Sequence, residues 1–214
     1  MSNYWQSFDL ESDPFANDQA IVSYYESPQW KQTLDLLLHL SQHSKAVLLV
    51  TGLSGMGKTT LSRQFVEKVG GSTDICKIQG DASIEPDVLR YLLARHLSLR
   101  LSDGGKDEFD KELQQRLSEM QANQQQYFLL IDDAHKIPER TLASLLDIIS
   151  AQDEKNAPLH ALFLGGPQLE AIVAEITSQH LGEGLTHTTK LKPLNQELCE
   201  AYILHRLSIA GWKG

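Results

Sequence analysis

Apolar residues follow two rhythms along this chain. Short unbroken runs, AVLLV (46–50), YFLLI (127–131) and LHALFL (159–164), have the length and density of strands covered on both faces. DICKIQG (74–80) is a weaker strand, and LTHTTKLKPL (185–194) is the fifth and weakest of the set. Between them, apolar residues recur every three or four positions, as on one face of a helix. SPQWKQTLDLLLHL places Ser27 as N-cap, Pro28 in the first turn, and Trp30, Leu34, Leu37 and Leu38 on a single face. Leu61, Phe65 and Val69 repeat at intervals of four until Gly70-Gly71. EPDVLRYLLARHL and KDEFDKELQQRLSEM form a helix pair separated by the turn LSDGGKD, with Phe109, Leu113, Leu117 and Met120 on the inner face of the second. PERTLASLLDIIS turns Leu142, Leu145, Leu146 and Ile149 inward, and NQELCEAYILHRLSIAGWKG carries Leu198, Tyr202 and Leu207 in helical phase. Strands alternating with helices at this spacing predict a mostly parallel five-stranded sheet between helical layers, a three-layer α/β/α fold.

Composition changes this picture little. The 214 residues are 41% hydrophobic and 22% charged, ordinary values for a folded domain with a full core. The net charge of -9 disfavours a protein that wraps the phosphate backbone of nucleic acid. Cys76 and Cys199 are the two cysteines, too few for a disulfide framework and without metal-ligand spacing, and both are read as buried spectators in a reducing compartment. The opening MSNYWQSFDLESDPF is polar and acidic where a signal peptide is basic and then apolar, which places the chain as given in the cytoplasm.

The chemistry is concentrated after the first strand. GLSGMGKTT (52–60) satisfies G-x-x-x-x-G-K-[ST], the Walker A phosphate-loop pattern, in its required place between a buried strand and a helix. Glycines at 52, 55 and 57 let the backbone curl until successive N–H groups face one point, and the following helix adds positive partial charge there. Gly52, Ser54, Gly55, Met56, Gly57, Lys58, Thr59 and Thr60 are therefore the candidate ATP ligands. Lys58 reaches the β and γ phosphates, and Thr59 offers its hydroxyl to Mg2+. About 70 residues later a buried strand ends in Asp132 and Asp133, the Walker B position. Ligands of parallel sheets bind at that edge, so Asp132 is the second magnesium residue and Asp133 the acid that orients the attacking water.

Other residues carry two readings each. His135 either contacts this site or is a satisfied histidine at a strand end. Tyr24 and Tyr25 either line an adenine pocket or pack, and Arg206 either faces nucleotide or lies on a helix surface.

DPF near the N-terminus, SYYESPQW, LLVTGLSGMGKTTLSRQF, LLIDDAH, ALFLGGPQL and LKPLNQELCEAYILHRLSIAG together resemble AAA+ ATPases of the general secretion pathway protein A family. Within it the chain is most similar to the N-terminal ATPase module of DamX-type cell-division proteins, which continue into a transmembrane helix and a periplasmic SPOR domain. The resemblance implies ATP and Mg2+ as cofactors, with phosphate contacts from Gly57, Lys58 and Thr59, Mg2+ at Thr59 and Asp132, and a catalytic acid at Asp133. It also implies self-association through AAA+ subunits, envelope or cell-division partners, inner-membrane anchoring and peptidoglycan binding through a domain beyond this chain. The division expected is a linker at 1–26, the AAA+ core at 27–193, and the first helix of a lid at 194–214. On this reading the chain is a fragment whose lid arginine lies elsewhere, and residues 1–214 bind ATP but hydrolyse it barely.

Two departures from the family pattern matter. Its members usually read D-E-A after the third strand and G-Q-P after the fourth, where this chain has Asp132-Asp133-Ala134 and Gly165-Gly166-Pro167. A shorter acid and a missing amide predict slow hydrolysis, although Asp-Asp also occurs in AAA+ initiators that do hydrolyse ATP. The competing functions are a nucleotide-binding scaffold without turnover and a DNA-associated AAA+ regulator of the transposition type, the latter disfavoured by the acidic charge.

Overall fold

The computed structural model describes residues 4–16, 24–44, 47–69, 73–102, 105–152, 157–180 and 186–213. The glycine stop at Gly70-Gly71 and the centre of the LSDGGKD turn lie outside them. The described chain divides into two compact units, 35–191 and a smaller one formed by 1–34 with 192–214.

The larger unit holds five strands: β1 (Val47–Thr51), β2 (Thr73–Gln79), β3 (Gln126–Asp132), β4 (Leu159–Gly165) and β5 (Thr186–Lys190). All pair in parallel, in the order β2-β3-β4-β1-β5. The helices between them are α2 (Lys58–Lys68), α3 (Pro86–Leu97), α4 (Lys106–Ala122), α5 (Glu139–Ser150) and α6 (Gln168–His180); α1 (Pro28–His43) precedes β1. The helix α6 lies between two strands that the apolar pattern leaves directly adjacent, and it supplies the crossover that parallel strands require.

Burial explains the runs. Every residue of β1 and β4 is buried, and alternate side chains serve opposite faces. Leu49, Leu129, Ile131, Ala161 and Phe163 join a core with Leu89 and Leu93 of α3, Phe109, Leu113 and Met120 of α4, Leu142, Leu145, Leu146 and Ile149 of α5, and Leu169 and Val173 of α6. On the other face Phe65 of α2 meets Phe128 with ring centroids 5.0 Å apart. Phe128 in turn stacks on the buried His160 at 5.6 Å. The edge strand β5 is only half-buried, which is why its sequence is the most polar of the five.

His160 gives this core a pH dependence. Burial pushes the imidazole below its ordinary range, partly offset by the backbone at Ser44 and Ala157. The folded value is thus below the unfolded value of about 6.5, so the stability that neutral His160 confers is complete above that pH and is lost as pH falls beneath it. Denaturation midpoints are expected to hold between pH 7 and 8 and to drop towards pH 5.5. In His160→Leu the drop is expected to shrink, and an unaltered pH dependence would exclude this histidine as its source.

The smaller unit is organised by α7 (Gln196–Ile209), capped where the Asn195 side chain accepts from the Leu198 N–H at 2.9 Å. Arg206 is buried rather than on the helix surface. Its Nε donates to the Pro14 carbonyl at 2.5 Å and its Nη2 to the Ala16 carbonyl at 3.0 Å. The Glu11 N–H donates to the Ala210 carbonyl at 2.7 Å, so the N-terminal stretch lies along α7. Gly211 sits at φ 95°, and a Cβ there would come within 2.8 Å of the Glu11 side chain. Tyr25 packs against Tyr202 and His205, with centroids 6.0 and 5.6 Å away, in keeping with the packing reading of the tyrosine pair. Cys76 is buried as expected, but Cys199 is exposed, because it falls on the outer side of α7.

Candidate nucleotide site

The strand β1 ends at the buried Thr51, and the chain must turn sharply to enter α2 at Lys58. Two glycines make that turn. Gly55 has φ 81° and Gly57 φ 82°, a left-handed conformation that other residues adopt at a cost. Gly52 is held from below: its N–H donates to the Gly165 carbonyl of β4 at 3.2 Å, and a Cβ would press on Met56 and Leu191 at 3.2 and 3.3 Å. Ser54 and Gly55 are exposed at the crest of the loop, while Met56, Gly57, Lys58 and Thr60 are half-buried. Lys58 closes the curl, its Nζ donating to the carbonyls of Gly52 and Leu53, both at 2.9 Å.

The acids arrive from β3, beside β4 in the sheet. Thr59 donates its hydroxyl to Asp132 Oδ2 at 2.8 Å, a bond between residues 73 positions apart. One hydroxyl and one carboxylate are hard oxygen donors of the kind Mg2+ takes, and this ion commonly keeps several waters and phosphate oxygens besides. Among the described residues no three His, Cys, Asp or Glu side chains cluster to hold a metal unaided. The donor set therefore fits Mg2+ carried with a polyphosphate.

Asp133 is in the left-handed region at φ 53°, and its N–H donates to Asp132 Oδ1 at 2.9 Å. Its carboxylate accepts from Lys136 Nζ at 2.7 Å and from Gln79 Nε2 at 3.1 Å. Lys136 above all holds the Asp133 carboxyl below the usual range, and Asp133 raises the lysine in return. Neither Gln79 nor Lys136 carries a sequence signal of its own. Lys136 is recognisable only once the 3-10 turn Ala134–Lys136 folds it back over Asp133.

Gly80 is the other residue that sequence reasoning passes over. Its N–H donates to the Asp132 carbonyl at 2.7 Å, extending the β2–β3 ladder by one residue. An added Cβ would lie 2.3 Å from the Asp133 carbonyl oxygen, so only glycine lets the acid-bearing turn sit this close. His135, for its part, accepts the Gly166 N–H on Nδ1 at 3.1 Å. A separate cavity of about 470 Å³, bordered by Arg90, Asp110, Leu117 and Ile148, includes none of these groups.

A five-stranded parallel sheet flanked by helices, with a glycine loop after β1 and paired acids after β3, defines a three-layer P-loop NTPase fold. The chain belongs to the AAA domain family, which matches residues 41–173. Over 209 residues, 97% of this chain, it is 26% identical to general secretion pathway protein A of Aeromonas hydrophila, and it spans 38% of that protein's length. In fold it is similar to Cdc6p from Pyrobaculum aerophilum, with TM-score 0.63 and 18% identity over 93% of this chain and 55% of the other. It is likewise similar to the Aeropyrum pernix ORC2 protein in its ADPNP-ADP complexes, with TM-score 0.56 and 15% identity over 89% and 55% of the two chains. The protein is thus an AAA+ nucleotide-binding module with homology to a general secretion pathway protein. No helix among the described residues is long and apolar enough to cross a membrane.

Proposed function

We propose that this chain binds Mg-ATP in the loop from Gly52 to Thr60 and that its slow hydrolysis controls assembly of a bacterial envelope or cell-division machine. The observation that carries the proposal is the 2.8 Å bond from Thr59 to Asp132, which joins the glycine loop to the acidic end of β3. Backbone N–H groups from Ser54 to Thr60 cradle the phosphates, and Lys58 leaves its loop carbonyls for the β and γ oxygens. Thr59 and Asp132 hold Mg2+, which, when bound, neutralises phosphate charge. Asp133, steadied by Gln79 and Lys136, orients the attacking water and accepts its hydrogen bond.

The envelope role is supported by the likeness to a general secretion pathway protein. In this reading residues 27–193 are the working core, 1–26 a linker and 194–214 the start of a lid. Subunits associate, and the complete protein is anchored in the inner membrane and reaches peptidoglycan through a further domain. Exposed Ile203 and Leu204 on α7, with Trp212 just beyond its end, offer apolar surface suited to such association.

Asp133→Asn tests turnover. It keeps shape and hydrogen bonding, so nucleotide binding by calorimetry is expected to persist while phosphate release falls by about two orders of magnitude. An unchanged, measurable rate would remove Asp133 from the mechanism. A parent rate indistinguishable from the uncatalysed background would establish the alternative, a nucleotide-binding scaffold. That alternative is favoured by the prior engagement of the Asp133 carboxylate with Lys136 and Gln79.

A further inference from the structure

We propose that the groove between α4 and α5 is a docking site for an amphipathic helix of another protein, one that carries an acidic residue and, a turn later, a basic one. The proposal is independent of the nucleotide reading, since the groove shares no residue with that site.

Packing leaves this groove open. The helix α3 lies against both α4 and α5, whereas α4 and α5 stand apart from one another. The cavity of about 470 Å³ between them follows α4 from Lys106 to Gln121. At a helical rise of about 1.5 Å per residue that is a trough roughly 22 Å long, about four turns. Such a length suits a helix better than a compact small molecule. The floor has the matching period: buried Phe109 and Leu113 and the partly covered Leu117 follow one another at intervals of four, facing Ile148 on the other wall. Apolar residues spaced in this way receive the anchors of a docked helix.

The charges decide which helix. Asp110 on α4 and Asp147 on α5 stand on opposite walls, and neither makes an ion pair among the described residues. Both walls thus offer a carboxylate to a basic side chain. Arg90 also borders the groove, but it is engaged by Asp87. Lys106, one turn before Asp110, has no ion pair among the described residues. Along α4 the groove therefore reads cation and then carboxylate, and the complement is an acid followed one turn later by lysine or arginine. A helix favours that order in its own N-to-C direction, so the occupant lies parallel to α4. The net charge of -9 steers basic partners to the molecule, while the rim pairs fix orientation and the apolar floor supplies affinity.

The test selects displayed, cross-linked helical peptides of about 18 residues, five turns, on the 214-residue chain without nucleotide. Enriched peptides are expected to carry an apolar row with an acid and, one turn on, a base. Ser144→Trp fills the trough from the α5 wall and is expected to weaken them at least about tenfold. The double variant Asp110→Lys, Asp147→Lys alters only the rim. It is expected to weaken them about three- to tenfold, and exchanging the peptide's base for glutamate is expected to restore binding. This second variant decides the matter if S144W does not fold. No enrichment, enriched peptides without the charge order, or peptides that bind the charge-reversed chain as tightly as the parent would overturn the proposal. Sedimentation of the parent alone supplies the last outcome: self-association abolished by the charge reversal would assign the trough to a second copy of this chain instead.

Discussion

Replacing Lys58 with alanine is expected to cost the chain about two to three orders of magnitude in Mg-ATP affinity while leaving it folded. The ammonium is a half-buried charge whose two observed partners among the described residues are the Gly52 and Leu53 carbonyls. Those carbonyls belong to an exposed loop or its entry, and the curl itself depends on the left-handed Gly55 and Gly57. The lost charge is therefore felt mainly by phosphate. Charge-assisted bonds to phosphate are each about twice as strong as neutral ones, and the lysine offers more than one. Calorimetry with ADP and ATP measures the loss, and denaturation of the unliganded protein measures the fold. A Lys58→Ala chain that binds Mg-ATP as tightly as the parent would dismiss the phosphate-loop assignment.

Gly80→Ala is expected to be nearly as damaging to function although no part of Gly80 touches the nucleotide. The new methyl would sit 2.3 Å from the Asp133 carbonyl oxygen, 2.7 Å from its carbon and 2.9 Å from the Asp132 oxygen, all backbone atoms that no rotamer change can clear. The clash must move the end of β3 away from β2. Overpacking of this kind costs about 1 to 3 kcal/mol, a loss the large core can bear. The site is less tolerant, because the 2.8 Å bond from Thr59 to Asp132 and the 3.1 Å bond from Gln79 to Asp133 depend on that strand end. A displacement near 1 Å can lower turnover about a hundredfold. A folded Gly80→Ala protein with reduced Mg2+-dependent binding and little phosphate release is the expected result; parental values for both would show that the strand end has slack.

The elements whose signal is local were legible in the residues alone. The loop from Gly52 to Thr60 announces itself because each glycine, the lysine and the threonine answer a demand made within nine residues. The buried strands show as unbroken apolar runs, and the inner faces of α4 and α5 show in their helical spacing. Asp132 and Asp133 stand out for the same reason, as two carboxylates ending a run that no solvent-facing strand would carry.

Contacts made across the sheet needed the tertiary structure. Nothing near Gly80 in the sequence points to Asp133, since the strand order alone makes β2 and β3 neighbours. The helix α6 escaped notice because its apolar face is short, and the crossover from β4 to β5 is what demands it. Arg206 resembles any helix arginine until the N-terminal stretch arrives to give it the Pro14 and Ala16 carbonyls. Cys199 looks like a buried residue until α7 turns it outward. Lys136 and His135 acquire their partners only when the turn after β3 closes against Asp133 and β4. Local demands on backbone shape and on helical or strand period are written into neighbouring residues, and these the sequence by itself determined. Which groups meet across the sheet and around its turns is settled by strand order and packing, and that only the folded chain could decide.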